Sequence, residues 1–457
     1  MTAELERNLW LEISPTRLIL MAGVLGAIFA VAGLGKDRAD ALRIAAQGGF
    51  FAIVAVWGAF KASRAITDEI RDRTWDFQRM SGVAPMAMAF GKLFGATAYV
   101  WFGGLICIAA AVFAAHLEGD GVAELAFLAA RMALTGLLTH AAALAASIAG
   151  ARRQRGQGRF DGALFVLAGI GAYWFVGAMF EAASRAPWGS DGPIEGAAAT
   201  LTWWGQTVPG PDFWLASVAL FAALVMATCW RLMRAELQAA PAPVWYAAGA
   251  GIAAAWLAGF GKTPVEQAAF VFGAMATVTY VTLWSEPKDV VGWRALVAAL
   301  RTREADAGAV WPACLTGLAL CVLAAMTVAI AGGLNPADQE NQGTLIWPFA
   351  AVLFIARDIA IFAFFHLGER QKRGDFAAVL TIALLYGLGP AFLGALGLEG
   401  GVALFFPVPE AGLASHAVSV ASGLTQFCIV ALAAKARFEA RGAGLSVSPA
   451  PAASPAS

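Results

Sequence analysis

Polar positions in this 457-residue chain are sparse and clustered, and between the clusters run apolar stretches of about 20 residues. At 1.5 Å of rise per residue, such a stretch crosses the roughly 30 Å hydrocarbon core of a bilayer as a helix. The stretches do not alternate apolar with polar positions, so they do not read as barrel strands. The pattern predicts an all-α polytopic integral membrane protein of about 12 transmembrane helices, near 18–34, 44–60, 93–115, 126–150, 162–181, 213–230, 244–260, 267–284, 311–332, 347–367, 376–396 and 415–434.

Composition agrees with the pattern. Hydrophobic residues make up 60% of the chain and charged ones 14%, against roughly 25% charged in soluble domains. The charges are sorted along the chain. With a cytoplasmic N-terminus, inside segments hold 24 of the 31 Lys and Arg, outer loops hold 5 and helices hold 2, which also places the C-terminus inside. Later outer loops are acidic or neutral, as at Glu118-Gly119-Asp120 and Asp338-Gln339-Glu340. Because the zero net charge is sorted by side rather than pooled on one face, no nucleic-acid partner is expected, and membrane lipids are. Glu4, Glu6 and Glu12 precede the first apolar run without a small-residue cleavage site, which reads as an uncleaved first helix in a bacterial inner membrane. The five cysteines lie inside helices and read as small apolar packers.

Two halves share one plan. Arg153-Gln154-Arg155-Gly156 precedes Phe160-Asp161 and a helix carrying Tyr173; Arg370-Gln371-Lys372-Arg373-Gly374 precedes Asp375-Phe376 and a helix carrying Tyr386. A similar offset carries the loop after helix 2 onto that after helix 8. The chain is therefore expected to form two parallel six-helix units, 1–234 and 235–440, the second a degenerate repeat, followed by a disordered tail at 441–457.

The most informative segment is the loop between helices 2 and 3. Residues 66–80 read as one amphipathic helix, with Ile66, Ile70, Phe77 and Met80 on a narrow apolar face opposite Asp68, Arg71, Asp72, Asp76 and Arg79. Such a helix would lie on the membrane surface, with Gly82 and Pro85 as stop signals before the chain re-enters lipid near Gly91-Lys92. Trp75 falls within the charged face, where neither lipid nor the helix's own packing accounts for it. An exposed aromatic there would anchor a cytoplasmic partner.

Glu69, Thr74, Pro85, Gly91 and Lys92 match a Glu-x-x-x-Gly-Thr pattern followed by a Pro and a Gly-Lys entering the third helix. On these residues, residues 1–234 resemble ATP-binding-cassette type-2 export permeases, including the amphipathic N-terminal Leu9-Trp10-Leu11-Glu12-Ile13 and a long outer loop before helix 6. Arg73 stands where that family has Gly, and the spacing from Thr74 to Pro85 is longer than the family's. The resemblance implies a transport subunit with no catalysis of its own. It also implies that Glu69, Arg73, Thr74, Trp75, Phe77 and Pro85 dock a separate ATPase subunit, which would supply the ATP-Mg. Asp289–Arg303 in the second half also reads as an amphipathic helix, without the Glu and Thr.

Other chemistry is thin. Gly261-Lys262-Thr263 ends like a phosphate-binding loop, but Trp256 stands where its first Gly belongs. The four histidines, His116, His140, His366 and His416, show no metal-ligand spacing. Intramembrane ionisable residues are costly and mark function or packing. Arg131 and His140 in helix 4 and Arg357 and Asp358 in helix 10 are the candidates, for a substrate path or for an interhelical polar network. Adjacent on a helix, Arg357 and Asp358 are expected to find partners elsewhere rather than each other. Outer loop 182–212, with Trp188, Trp203 and Trp204, is expected to form short interfacial helices. The rival readings are a twelve-helix secondary transporter and a membrane enzyme acting on lipid carriers. One pathway from both halves and a homodimer are both compatible with the sequence.

Overall fold

The computed structural model describes residues 3–35, 37–153, 162–184, 200–239, 243–286, 290–302, 312–334, 343–367, 374–408 and 412–443. Among them, 11 helices are long and apolar enough to cross a membrane. The chain is an all-α multi-pass membrane protein, and it divides into two compact units, Met1–Pro241 and Ala242–Ser457. Of the sequence match, residues 154–161 and 370–373 lie outside the described residues, as does most of the tail.

The first unit opens with α1 (Ala3–Glu12), followed by α2 (Pro15–Ala32). Ser14 starts α2 by accepting a bond from the Arg17 backbone N–H, with Pro15 in the first turn where its missing N–H costs nothing. Helix α3 runs unbroken over Arg38–Arg71 and so joins the predicted second span to the first part, 66–71, of the predicted surface helix. It contains a π-helical stretch, Phe51–Trp57. Two short helices follow, α4 (Trp75–Met80) and α5 (Pro85–Phe90), and a second π stretch at Gly91–Gly95 leads toward α6 (Ala98–Glu118). Pro85 thus begins a helix rather than stopping one.

Helix α7 (Val122–Arg153) is the unit's central element, packed on α3, on α8 (Gly162–Ser184) and on α9 (Gly210–Glu236). The contacts are made largely by alanine, with Ala59, Ala62, Ala141, Ala143 and Ala151 all buried. In lipid no hydrophobic force draws helices together, so small residues that allow close backbone approach supply the packing.

Between α8 and α9 the chain forms a β-hairpin, β1 (Thr200–Trp203) with β2 (Gln206–Pro209), instead of the expected interfacial helices; residues 185–199 of that loop lie outside the described residues. The two-residue turn has positive φ at both Trp204 and Gly205, the geometry that matches the twist of a hairpin.

The second unit comprises α10 (Pro243–Ala258), α11 (Pro264–Ser285), α12 (Val290–Thr302), α13 (Ala313–Leu334), α14 (Gly343–His366), α15 (Gly374–Ala395) and α16 (Leu413–Ala443). Its core is formed where α11 meets α13 and where α14 meets α16. The run predicted at 244–260 becomes a helix of 16 residues, shorter than the other apolar helices. Thr263 caps α11 by accepting from the Glu266 backbone N–H at 3.2 Å, and Glu266 returns a bond to the Lys262 N–H at 2.7 Å. The triplet that resembles a phosphate loop therefore belongs to a capped helix start. Helix α16 extends through Ala443, three residues into the expected tail.

Candidate functional site

The single helix expected over 66–80 is two helices with a tight turn between them. Helix α3 ends at Arg71, and Arg73 takes a left-handed conformation with φ +59°. The Thr74 N–H donates to the Glu69 carbonyl at 2.9 Å, and the Arg73 N–H to the Ile70 carbonyl at 3.2 Å. These two bonds form a Schellman termination, in which the residue after the cap is left-handed. Thr74 adds its hydroxyl to the same Glu69 carbonyl at 3.3 Å. The pattern Glu-x-x-x-Gly-Thr thus has a backbone meaning: the Gly position is the left-handed one, and here Arg73 occupies it against a steric cost of roughly 1–2 kcal/mol.

Around this turn lies a cluster of charges. Lys92, buried at the start of the second π stretch, donates to Glu4 at 3.0 Å, to Gln78 Oε1 at 3.0 Å and to Glu69. An ammonium has three protons, and all three are used. Arg7 pairs with Glu4 at 3.1 Å and with Glu69, while Gln78 Nε2 donates to Glu69 at 2.6 Å. Asn8 completes the group by donating to the Glu4 carboxylate at 2.9 Å. Two acids and two bases balance, which is the condition under which buried charge persists. Burial alone would raise the Glu4 carboxyl, but Lys92, Asn8 and Arg7 outweigh it and bring the group below its ordinary value of 4.5. Gly91 makes the approach of α1 feasible, because a Cβ there would meet the Glu4 side chain at 2.7 Å and the Leu5 nitrogen at 2.9 Å.

Trp75 is not an exposed anchor. It is 4% exposed and packs with Ile66, Met88, Leu93 and Met233. Its indole N–H donates to Glu236 at 2.9 Å, and the Lys92 ammonium sits 5.2 Å from its ring centroid. The turn at Arg73 is the reason, since it reorients α4 away from the direction that a continuous helix would have given. Phe77 and Met80, placed on the apolar face with Ile66, are instead 74% and 75% exposed. Glu69 and Trp75 are internal parts of this assembly; Arg73 and Thr74 form its turn, Pro85 starts α5, and Phe77 faces out.

The intramembrane candidates separate. His140 is fully buried and its Nε2 lies 2.8 Å from the Val54 carbonyl, inside the first π stretch. Gly58 leaves it room, because a Cβ there would sit 1.9 Å from Nε2. His140 is thus a packing element between α7 and α3. Arg357 and Asp358, contrary to expectation, pair directly: the guanidinium donates to Asp358 Oδ1 from Nε at 2.9 Å and from NH2 at 2.7 Å. The Arg side chain is long and flexible enough to fold back across the 100° between neighbours. Tyr280 and Tyr386 donate to Asp358 Oδ2 at 2.6 and 3.0 Å, and Arg357 reaches Gln426 at 2.7 Å. Both charges are sealed from the surface. Arg131 differs from both: it lines a cavity of about 480 Å³ together with Gln47, Phe127, Thr135, Tyr173 and Phe180.

Sequence reasoning missed Glu4, Arg7, Asn8, Gln78 and Glu236 as members of the assembly. Lys92, a lone cation at the mouth of an apolar run, was the available signal that acids must converge there. No family model, curated protein or solved structure matches the chain.

Proposed function

We propose that the chain is the membrane-spanning permease subunit of a bacterial ATP-binding-cassette transporter of the type-2 export class, working in the inner membrane with both termini inside. A separate ATPase subunit docks on the cytoplasmic segment between the second and third spans and hydrolyses ATP-Mg; this chain provides the path. The observation that supports the reading most is the construction of that segment. A short helix presents Phe77 and Met80 outward, while Glu69, Lys92 and Trp75 fix it from behind to α1, to the π stretch before α6 and to the end of α9. An exposed apolar anchor on a braced support is what transmission of a push from a partner to membrane helices requires, since a loosely held segment would absorb the movement.

Co-purification with the ATPase encoded nearest to this chain, and hydrolysis stimulated by the pair, are the expected results. Phe77→Asp with Met80→Asp should abolish both while leaving thermal unfolding unchanged, because the two side chains face solvent. Undiminished association in that double variant overturns the reading. A secondary transporter would need an accessible titratable group in the path. The buried acid in the second unit, Asp358, is closed off by Arg357, Tyr280 and Tyr386.

A further inference from the structure

The cavity between α3, α7, α8 and the start of α9 has the chemistry of a ligand site. Its volume, about 480 Å³, is within the range of small-molecule pockets, roughly 300–1,000 Å³. Phe50, Phe127 and Phe180 give it apolar walls, and Gln47, Thr135 and Tyr173 add a few polar groups. Arg131 lies nine residues into α7, about 14 Å along its axis, so its charge sits well below the helix end. A guanidinium keeps its proton under all conditions of interest. Among the described residues no carboxylate pairs with it; its neighbours are the Phe180 ring, 5.4 Å from the guanidinium carbon, and Tyr173. Arg357 is neutralised by the adjacent Asp358, whereas Arg131 has no such carboxylate among the described residues and has a cavity in front of it.

We propose that this cavity binds an amphipathic monoanion, with a carboxylate or phosphodiester head on Arg131 and an apolar body along the phenylalanines. One cation calls for one negative charge, and the aromatic walls call for an apolar body; a small hydrophilic anion would leave those walls wet. Tyr173 and Gln47 supply neutral donors to the head. The site does not depend on the ATPase reading, and failure of ATPase docking leaves it intact.

The test uses the full chain in phosphatidylcholine nanodiscs, with 11-(dansylamino)undecanoate as a fluorescent probe. Saturable binding is expected, weakened about tenfold or more by Arg131→Gln and held within about threefold by Arg131→Lys, because the loss is that of a charge-assisted contact. Gly177 lines the cavity and a Cβ there meets nothing within 4 Å, so Gly177→Leu fills the space without touching the charge and should also abolish binding. Thermal unfolding of each variant separates lost binding from lost folding. Displacement by dioctanoyl phosphatidylglycerol but not decanoate identifies a lipid head as the occupant, and the reverse identifies a soluble amphiphile; either supports the site. Unchanged affinity in Arg131→Gln or in Gly177→Leu, or equal displacement by uncharged octanoyl glycerol, overturns it.

Discussion

The indole N–H of Trp75 donates to Glu236 across 2.9 Å, and this bond joins the short helix α4 to the last turn of α9. A tryptophan at this point is therefore part of the protein's own core. Trp75→Ala should cost about 3–5 kcal/mol through the lost aromatic volume. Trp75→Phe should cost about 1.5–3 kcal/mol, the range for a hydrogen bond to a charged group. Thermal unfolding of the detergent-solubilised chain measures both, and a wild-type midpoint for the alanine variant would contradict the burial.

Lys92 uses all three of its protons on the groups around it. Replacing it by Met leaves Glu4 and Glu69 facing each other with only Arg7 between them. Removal of one partner from a buried pair costs about 3–5 kcal/mol. A double-mutant cycle with Glu69→Gln should show strong coupling; additive losses would mean that the two side chains do not interact.

At position 73 the expected change is a gain. Arg73→Gly relieves a left-handed residue and should stabilise the chain by about 1 kcal/mol, whereas Arg73→Val should destabilise it. Higher unfolding temperature for the valine than for the glycine variant would refute the turn geometry.

The carboxyl of Glu4 is held below 4.5 in the folded chain. A carboxyl lowered by folding contributes stability that is fully present above its unfolded value and is lost as pH falls through its folded value. Unfolding temperature should therefore drop as pH is taken below about 4.5, and the drop should be shallower in Glu4→Gln. Parallel pH profiles for the two proteins would remove Glu4 from the account.

In the second unit, Arg357→Met should destabilise more than the double variant Arg357→Met with Asp358→Leu. The single change strands a buried carboxylate, whereas the double one substitutes an apolar pair of similar bulk. Equal losses would argue that the pair carries no charge in the folded chain.

Helices and their approximate limits were legible because a membrane span needs about 20 apolar residues, and that requirement is written in composition alone. The segment at 66–80 shows where legibility ends. Its helical periodicity is real on both sides of Arg73, but a periodic pattern does not reveal a change of direction, and Arg is a poor flag for a left-handed residue. Periodicity alone therefore puts Trp75 on the charged face, whereas the turn buries it. Arg357 and Asp358 failed for a different reason: the 100° rule describes where Cβ atoms point and says little about a side chain as long as arginine. Arg131 was legible as an intramembrane charge; that it faces a cavity depended on Tyr173 and Phe180 from another helix.

Among the described residues, the π stretches at 51–57, 91–95 and 384–388 each coincide with a polar contact, through Val54, Lys92 and Tyr386 respectively. A π turn amounts to one residue inserted into an α-helix. Everything beyond it is advanced by about 100° and 1.5 Å relative to a regular helix. The rotational phase of Glu69 is therefore set at 51–57, more than ten residues earlier, and a single-residue deletion there would leave a sound helix whose carboxylate points away from Lys92. In this chain the addresses of the interior charges are stored in helix register, at a distance from the charges themselves.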